Sequence, residues 1–295
     1  MYNGILNIFK PRGMTSRDVV NVVSRLTKSK AGHTGTLDPE ATGVLPICLG
    51  RATKISDFIM DSEKEYVAKV VFGTATDTGD AWGKTISQGE LVEDKASIER
   101  VLPNFIGEIM QVPPMYSALR FRGRKLYEYA REGIVVERKA RPITIYGLEV
   151  LRWDLPESFI VRVRCSKGTY IRTLCEDIGI ALGTVAHMGS LIRTKTSGFV
   201  STESINLAQL ENAAENSALD KLVIPIEIAL AHMPKTTIDQ KAEKLLLNGN
   251  PIPLEFVSDH ANVPCLTFDH RGKLSGVFQM DEKGEFLRPI KMLLN

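Results

Sequence analysis

Apolar residues recur along this chain at two periods, and the switches between them mark its elements. From Thr15 to Lys28 the period is helical. Val19, Val23 and Leu26 share a face, Thr15 stands where a cap belongs and Asp18 follows three residues on. A second helix is predicted over Ala52 to Met60. The period then drops to two in KEYVAKVVFG, which sets Tyr66, Ala68, Val70 and Phe72 on one side of a strand. A short helix around Ala96 to Ile106 leads to the proline-rich crossing VPPMYSALR, and RKLYEYAREG reads as a helix stopped by Gly133. ITIYGLEVLRW and FIVRVRC are strand-like. TYIRTLCEDIGIALG returns to helical spacing through Ile171, Leu174, Ile178 and Leu182, with Gly183 as its stop. An acidic, Asn- and Ala-rich stretch from Ser201 to Asp220 approaches a boundary near Pro234. Beyond it, AEKLLLNG and short strands separated by the turns DHRGK and DEKGE predict a compact β-rich unit. The expected division is therefore residues 1–232 and 233–295.

A length of 295 residues suits two such units, and 43% hydrophobic with 24% charged residues is ordinary for a globular protein. No stretch approaches the ~18 uninterrupted apolar residues of a spanning helix, and the apolar run in MYNGILNIFKPRG is too short for a signal peptide. The expected location is the cytoplasm, with no membrane partner. Cys48, Cys165, Cys175 and Cys265 form no C-x-x-C pair, and the five histidines form no H-E-x-x-H, so no metal site is expected. GDAWGKT resembles a phosphate-binding loop but has Thr78 where that loop needs glycine. With no G-x-G-x-x-G or G-x-S-x-G either, neither a nucleotide site nor a serine nucleophile is expected.

Net charge is only +2, yet it is unevenly spread. Ser117 to Pro142 carries eight Lys/Arg against three Glu, and Ile160 to Phe199 carries six against two acids, leaving the remainder net acidic. Such concentration suits a polyanion, or two solvated basic faces. In the first segment Arg120, Arg122, Arg124 and Lys125 alternate with Phe121, Tyr127 and Tyr129, as in an arm that closes on an RNA backbone.

AGHTGTLDPEATGVLPICLG holds Asp38 between a glycine-broken loop and Pro39, with His33 five residues upstream. One reading makes Asp38 a helix N-cap with Pro39 at the first helical position. Another makes the loop a device for presenting a carboxylate. Downstream, Lys167 and Arg172 flank the start of the helix after CSKGTY, where cations oppose the helix dipole and call for a carboxylate or phosphate. Asp38, the aromatic Tyr66 and Tyr170, and Arg172 suit a pocket that holds a flat base beside an ionised carboxylate.

At these residues the chain resembles a known family. GHTGTLDPEATGVLPICLG, KEYVAKVVFG, GTATDTGDAWG, VPPMYSALR and CSKGTYIRTL occur in an order and spacing similar to the bacterial tRNA pseudouridine-55 synthases of the TruB family. The match runs along essentially the whole chain, including a shorter, compositional likeness to the family's small PUA RNA-binding domain. The resemblance implies a mixed α/β (α+β) pseudouridine synthase fold: a large, mostly antiparallel sheet flanked by helices, with a β-barrel-like PUA appendage. It implies that uridine in the T-arm loop of tRNA, at position 55, is flipped out and isomerised to pseudouridine without a cofactor. By position, Asp38 matches the nucleophilic aspartate and Arg172 its partner. Tyr66 and Tyr170 match aromatic contacts to the substrate, His33 a residue stacked near the flipped nucleotide, and Leu191 an apolar wall. GTATDTGDAWG becomes a structural or substrate-contacting turn, with Asp77 and Asp80 read as structural. A monomer with no obligate protein partner is expected. The rivals are the catalytic subunit of an RNA-guided complex and a non-catalytic RNA-binding module.

Overall fold

A computed structural model of the chain describes residues 1–60, 63–259 and 262–294. Its centre is a mixed sheet whose strands run in the order Gly4–Lys10, Thr42–Leu49, Ala186–Thr196, Lys64–Phe72, Ser158–Cys165, Arg141–Asp154 and Gly107–Gln111. Neighbours are antiparallel except Thr42–Leu49 against Ala186–Thr196, which pair in parallel at Ile192–Thr42 and Arg193–Gly43. A Cβ at Gly43 would collide with the backbone of Arg193, so this close pairing needs glycine.

Alternation decides which face of Lys64–Phe72 is covered. Tyr66, Ala68, Val70 and Phe72 are buried with Phe159, Val161 and Val163 beneath Ile171, Leu174 and Ile178 of the helix Ile171–Ala181. The helix Ser16–Thr27 covers the first strands through Val19, Val20 and Val23, packed on Leu6, Ile8, Leu45 and Ile47. Its start is the expected one: Thr15 and Asp18 form a reciprocal capping box. A second sheet of five strands runs in the order Lys235–Thr237, Cys265–Phe268, Leu274–Met280, Phe286–Met292 and Ile252–Pro253. It has its own core around Ile238, Leu246, Phe278 and Leu287, while Leu266, Leu274 and Val277 pack against Ile5, Val44 and Cys48 of the large sheet. The mixed α+β architecture with a small PUA-like β appendage is as expected.

Several local expectations are corrected. Asp38 caps no helix: its carbonyl accepts from Ala41 N at 3.1 Å, closing a tight turn over Pro39 and Glu40 before the strand Thr42–Leu49. The helix expected from Ala96 to Ile106 is an α-helix, Lys95–Val101, followed by a 3₁₀ turn, Leu102–Phe105, with Pro103 near its start. The arginine arm is a hairpin, Arg120–Phe121 against Arg124–Lys125, leading into the helix Leu126–Arg131. Its two-residue turn puts both Arg122 and Gly123 at positive φ, the geometry of a primed turn. Leu182 is the C-cap of its helix, partly buried against the same core as Ile171, Leu174 and Ile178.

Candidate active site

The loop after Ala31–His33, the strand Lys64–Phe72 and the start of the helix Ile171–Ala181 meet around a cavity of about 800 Å³. That volume is within the usual range for ligand sites, ~300–1,000 Å³. Asp38, Tyr66, Lys167, Tyr170, Arg172 and Leu191 all line it. His33 does not: it precedes the lining residues Thr34 to Asp38, half-buried, with Nδ1 accepting from Gly35 N at 3.3 Å. Burial, together with Arg17 and Arg193, lowers its proton affinity and favours the neutral ring. Arg120, Arg122, Arg124 and Lys125 also lie outside the cavity lining, whereas Ser117, Ala118 and Leu119 just before them belong to it. Arg124 is already engaged, by Glu132 and by Glu128 at 3.8 Å, which leaves it a weaker candidate for an RNA phosphate than sequence implied.

Arg172 is the fixed point of the arrangement. Its Nε lies 3.2 Å from Asp38 Oδ2, its Nη1 donates to the Thr78 carbonyl at 3.1 Å and its Nη2 to the Tyr116 carbonyl at 2.7 Å. Only 6% of Arg172 is exposed, so the guanidinium orientation is set from below while Asp38 faces the cavity. Asp80 approaches the same guanidinium at 3.9 Å. The structural reading of Asp80 therefore gives way to a shared one, since it both shapes its turn and adds charge beside the pair. Asp77 keeps the turn role, accepting from Lys84 N at 2.8 Å.

These charges act on Asp38 in opposite senses. Burial pushes its carboxyl above the ordinary carboxylate value, Arg172 pulls it back and Asp80 pushes it up again. Burial is the largest of these influences. The carboxylate is thus more basic than one in water while keeping a cation beside it.

Three supports were not read from sequence. Arg193 is 1% exposed and finds no carboxylate among the described residues. Its Nε donates to the Val44 carbonyl at 2.8 Å and its Nη2 to the Gly35 carbonyl at 3.1 Å, and the buried Tyr66 interacts electrostatically with it. It ties the Asp38 loop to Tyr66. Lys10, wholly buried, donates to the carbonyls of Pro11, Met14 and Pro39, anchoring the residue next to Asp38. Burial brings its pKa down to about 8, against the pull of Glu40 and Asp38. Gln111 exchanges hydrogen bonds with the backbone of Tyr170, at 2.8 and 3.1 Å, and fixes the helix entrance. The one available signal was Lys10, a lysine inside the apolar run ILNIFKP.

Among the described residues no group of His, Cys, Asp and Glu has metal-site geometry, and no helix is long and apolar enough to cross a membrane. Residues 24–171 match the TruB family pseudouridylate synthase N-terminal domain, and 172–231 match the tRNA pseudouridylate synthase B C-terminal domain. The chain is 46% identical to the tRNA pseudouridine synthase B of Alkaliphilus oremlandii, over 89% of this chain and 87% of that one. It is 42% identical to that of Halalkalibacterium halodurans, over 99% and 98%. Among solved structures, one of a Cbf5-Nop10-Gar1 complex aligns with a TM-score of 0.76 at 27% identity, covering 99% of this chain and 85% of that chain. One of an H/ACA RNP bound to a substrate RNA containing 2′-deoxyuridine aligns at 0.75 and 26%, covering 99% and 85%. A buried guanidinium holding a carboxylate on the wall of that cavity thus sits in a sequence whose residues 24–231 match one family, and the chain belongs to the TruB family of pseudouridylate synthases.

Proposed function

We propose that the chain isomerises a uridine in the T-arm loop of tRNA, position 55, to pseudouridine, with Asp38 as the reacting carboxylate. The observation that carries the reading is the Asp38–Arg172 contact at 3.2 Å on the wall of a cavity also lined by Tyr66, Tyr170 and Leu191. The printed name of the curated relatives, tRNA pseudouridine synthase B, supports the choice of RNA.

In this reading the target nucleotide leaves the loop and enters the cavity, unstacking at a cost of a few kcal/mol. The Asp38 carboxylate attacks ribose C1′ and the C1′–N1 bond breaks with its electrons on uracil. The base turns between Tyr66 and Leu191, C5 bonds to C1′ as the carboxylate leaves, C5 gives up its proton and N1 gains one. In the competing scheme Asp38 removes the 2′ proton first. Either scheme needs the anion, which Arg172 favours, and both gain from the raised basicity that burial confers. Isomerisation balances without a cofactor. His33, neutral and beside the cavity wall, fills the space the nucleotide vacates. Lys167 meets phosphate at the cavity, and Arg120, Arg122 and Lys125 meet the RNA backbone, with Arg124 secondary.

Residues 1–232 form the catalytic unit and 233–295 an RNA-binding unit, and the protein works in the cytoplasm as a monomer without an obligate partner. A second reading, a subunit of an RNA-guided complex, draws on the structural likeness to Cbf5 complexes. Purified chain and an unmodified tRNA transcript separate the two: turnover without any added RNA or protein is expected. Asp38→Asn is expected to bind the transcript and not convert it, and wild-type turnover by that variant refutes the assignment.

A further inference from the structure

The turn from Thr76 to Thr85 ends in a side chain that neither the cavity nor the core accounts for. Trp82 is 40% exposed, and the Arg12 guanidinium lies over its ring, 4.9 Å from the centroid. Arg12 is itself held at 2.7 Å by Glu40, in the tight turn that Asp38 opens. The backbone at Trp82 is tied to Asp80: its main-chain N–H donates to Asp80 Oδ1 at 3.2 Å, and Asp80 Oδ2 lies 3.9 Å from the Arg172 guanidinium. Contacts therefore run from Glu40 through Arg12, Trp82, Asp80 and Arg172 to Asp38, and the tight turn from Asp38 to Glu40 joins the two ends along the chain.

The turn is rigidly built. Thr78 Oγ1 donates to Asp80 Oδ1 at 2.7 Å, and Ala81 N and Met188 N bond across to the strand Ala186–Thr196 and to Gly79, each at 3.0 Å. A Cβ at Gly83 would collide with Thr78 Oγ1 and Asp77 Oδ1. A large apolar ring held this firmly in the open, with a cation on one side, departs from the scattered exposed side chains of an ordinary surface. Aromatic rings backed by arginine stack nucleobases without demanding a particular base.

We propose that Trp82, with Arg12 behind it, is a stacking site for an unpaired nucleobase that neighbours the target uridine in the RNA. The site rests on the reading of the chain as a tRNA-modifying enzyme and adds a second base contact outside the cavity. Extrusion of the target leaves a neighbour without its stacking partner, and Trp82 supplies one a short step from Asp38.

The chain has two tryptophans, Trp82 and Trp153, so in a Trp153→Phe protein Trp82 is the sole indole fluorophore. Titration of that protein with the tRNA transcript is expected to quench its emission as the complex forms. In the protein that keeps Trp153, Trp82→Ala is expected to weaken transcript binding roughly tenfold, within the range of one base–aromatic stack, and Trp82→Phe to recover most of the loss. Abasic nucleotides introduced singly around the T-arm loop locate the base: at one position the loss in wild type is expected to vanish in Trp82→Ala. Unchanged Trp82 emission in a saturated complex, or losses that multiply at every position, overturn the stacking site while leaving the tRNA reading intact. A transcript that wild type neither binds nor converts overturns both.

Discussion

Replacing Arg172 by lysine keeps a positive charge and removes a shape. The guanidinium forms an ion pair with Asp38 at 3.2 Å and donates hydrogen bonds to Thr78 O at 3.1 Å and Tyr116 O at 2.7 Å. An ammonium on a shorter reach cannot meet all three. The two carbonyls are fixed by backbone, so the ammonium settles on them and the contact to Asp38 is lost or lengthened. A close charge pair contributes ~1.5–3 kcal/mol at the lower end of measured couplings, and on the proposed mechanism losing the one that holds Asp38 slows the step by about 10- to 150-fold. Asp38 also loses the main influence opposing its burial, so less of it is ionised at a given pH, which adds to the loss. The expected result is a fall of about 100-fold in single-turnover rate with transcript affinity within about threefold of wild type, because Arg172 lies beneath the surface. Release of tritium from C5 of labelled uridine follows the reaction directly, since C5 exchanges its hydrogen for C1′. A parallel melting curve separates misfolding from chemistry. A loss under about threefold in a folded variant would falsify the claim that guanidinium geometry holds the carboxylate.

Asp80→Asn removes a charge that raises the proton affinity of Asp38. On the proposed mechanism activity requires the Asp38 anion and fades as pH falls through its raised pKa, so the acid limb of the single-turnover profile should move to lower pH; an unmoved limb refutes the coupling. Replacing Arg122, Arg124 and Lys125 together should flatten the slope of log affinity against log salt by about one to two units, because Arg124 is already satisfied by glutamates. An unchanged slope would assign RNA binding to the segment Ile160 to Phe199. Turnover in excess EDTA with prefolded, magnesium-free transcript should persist, and dependence on a divalent ion bound by the protein contradicts the mechanism.

How much of this site could be read beforehand follows from where the information lies. Tyr66 was legible because its strand has one buried face, and alternation reports such a face directly. Arg172 was legible because a cation at a helix start needs a reason. Asp38 was legible as a loop residue but not as a turn former, since Asp-Pro-Glu suits the first turn of a helix as well as the tight turn it makes. Asp80 and Arg193 were not, and for one reason. Each matters through a partner far along the chain, and hydropathy places an arginine in a strand on the wet side, whereas Arg193 turns inward to carbonyls. The hairpin of the arm escaped notice because Arg-Gly lacks the Asn-Gly or Asp-Gly signature of its turn.

The parallel pairing of Thr42–Leu49 with Ala186–Thr196 sets the order in which the enzyme can come into being. Gly35 and Arg193 meet across 158 residues of chain, and Val44 and Arg193 across 149. During synthesis the carboxylate loop emerges early and waits, without its strap, until almost the whole catalytic sheet has left the ribosome. Contacts of such span are closed late and slowly, because the entropy of the intervening loop must be overcome before they stabilise anything. A nascent chain that ends before residue 193 lacks the bonds by which Arg193 holds the carbonyls of Gly35 and Val44. The Asp38 loop therefore gains its bonds to Arg193 only after roughly two thirds of the chain has been made.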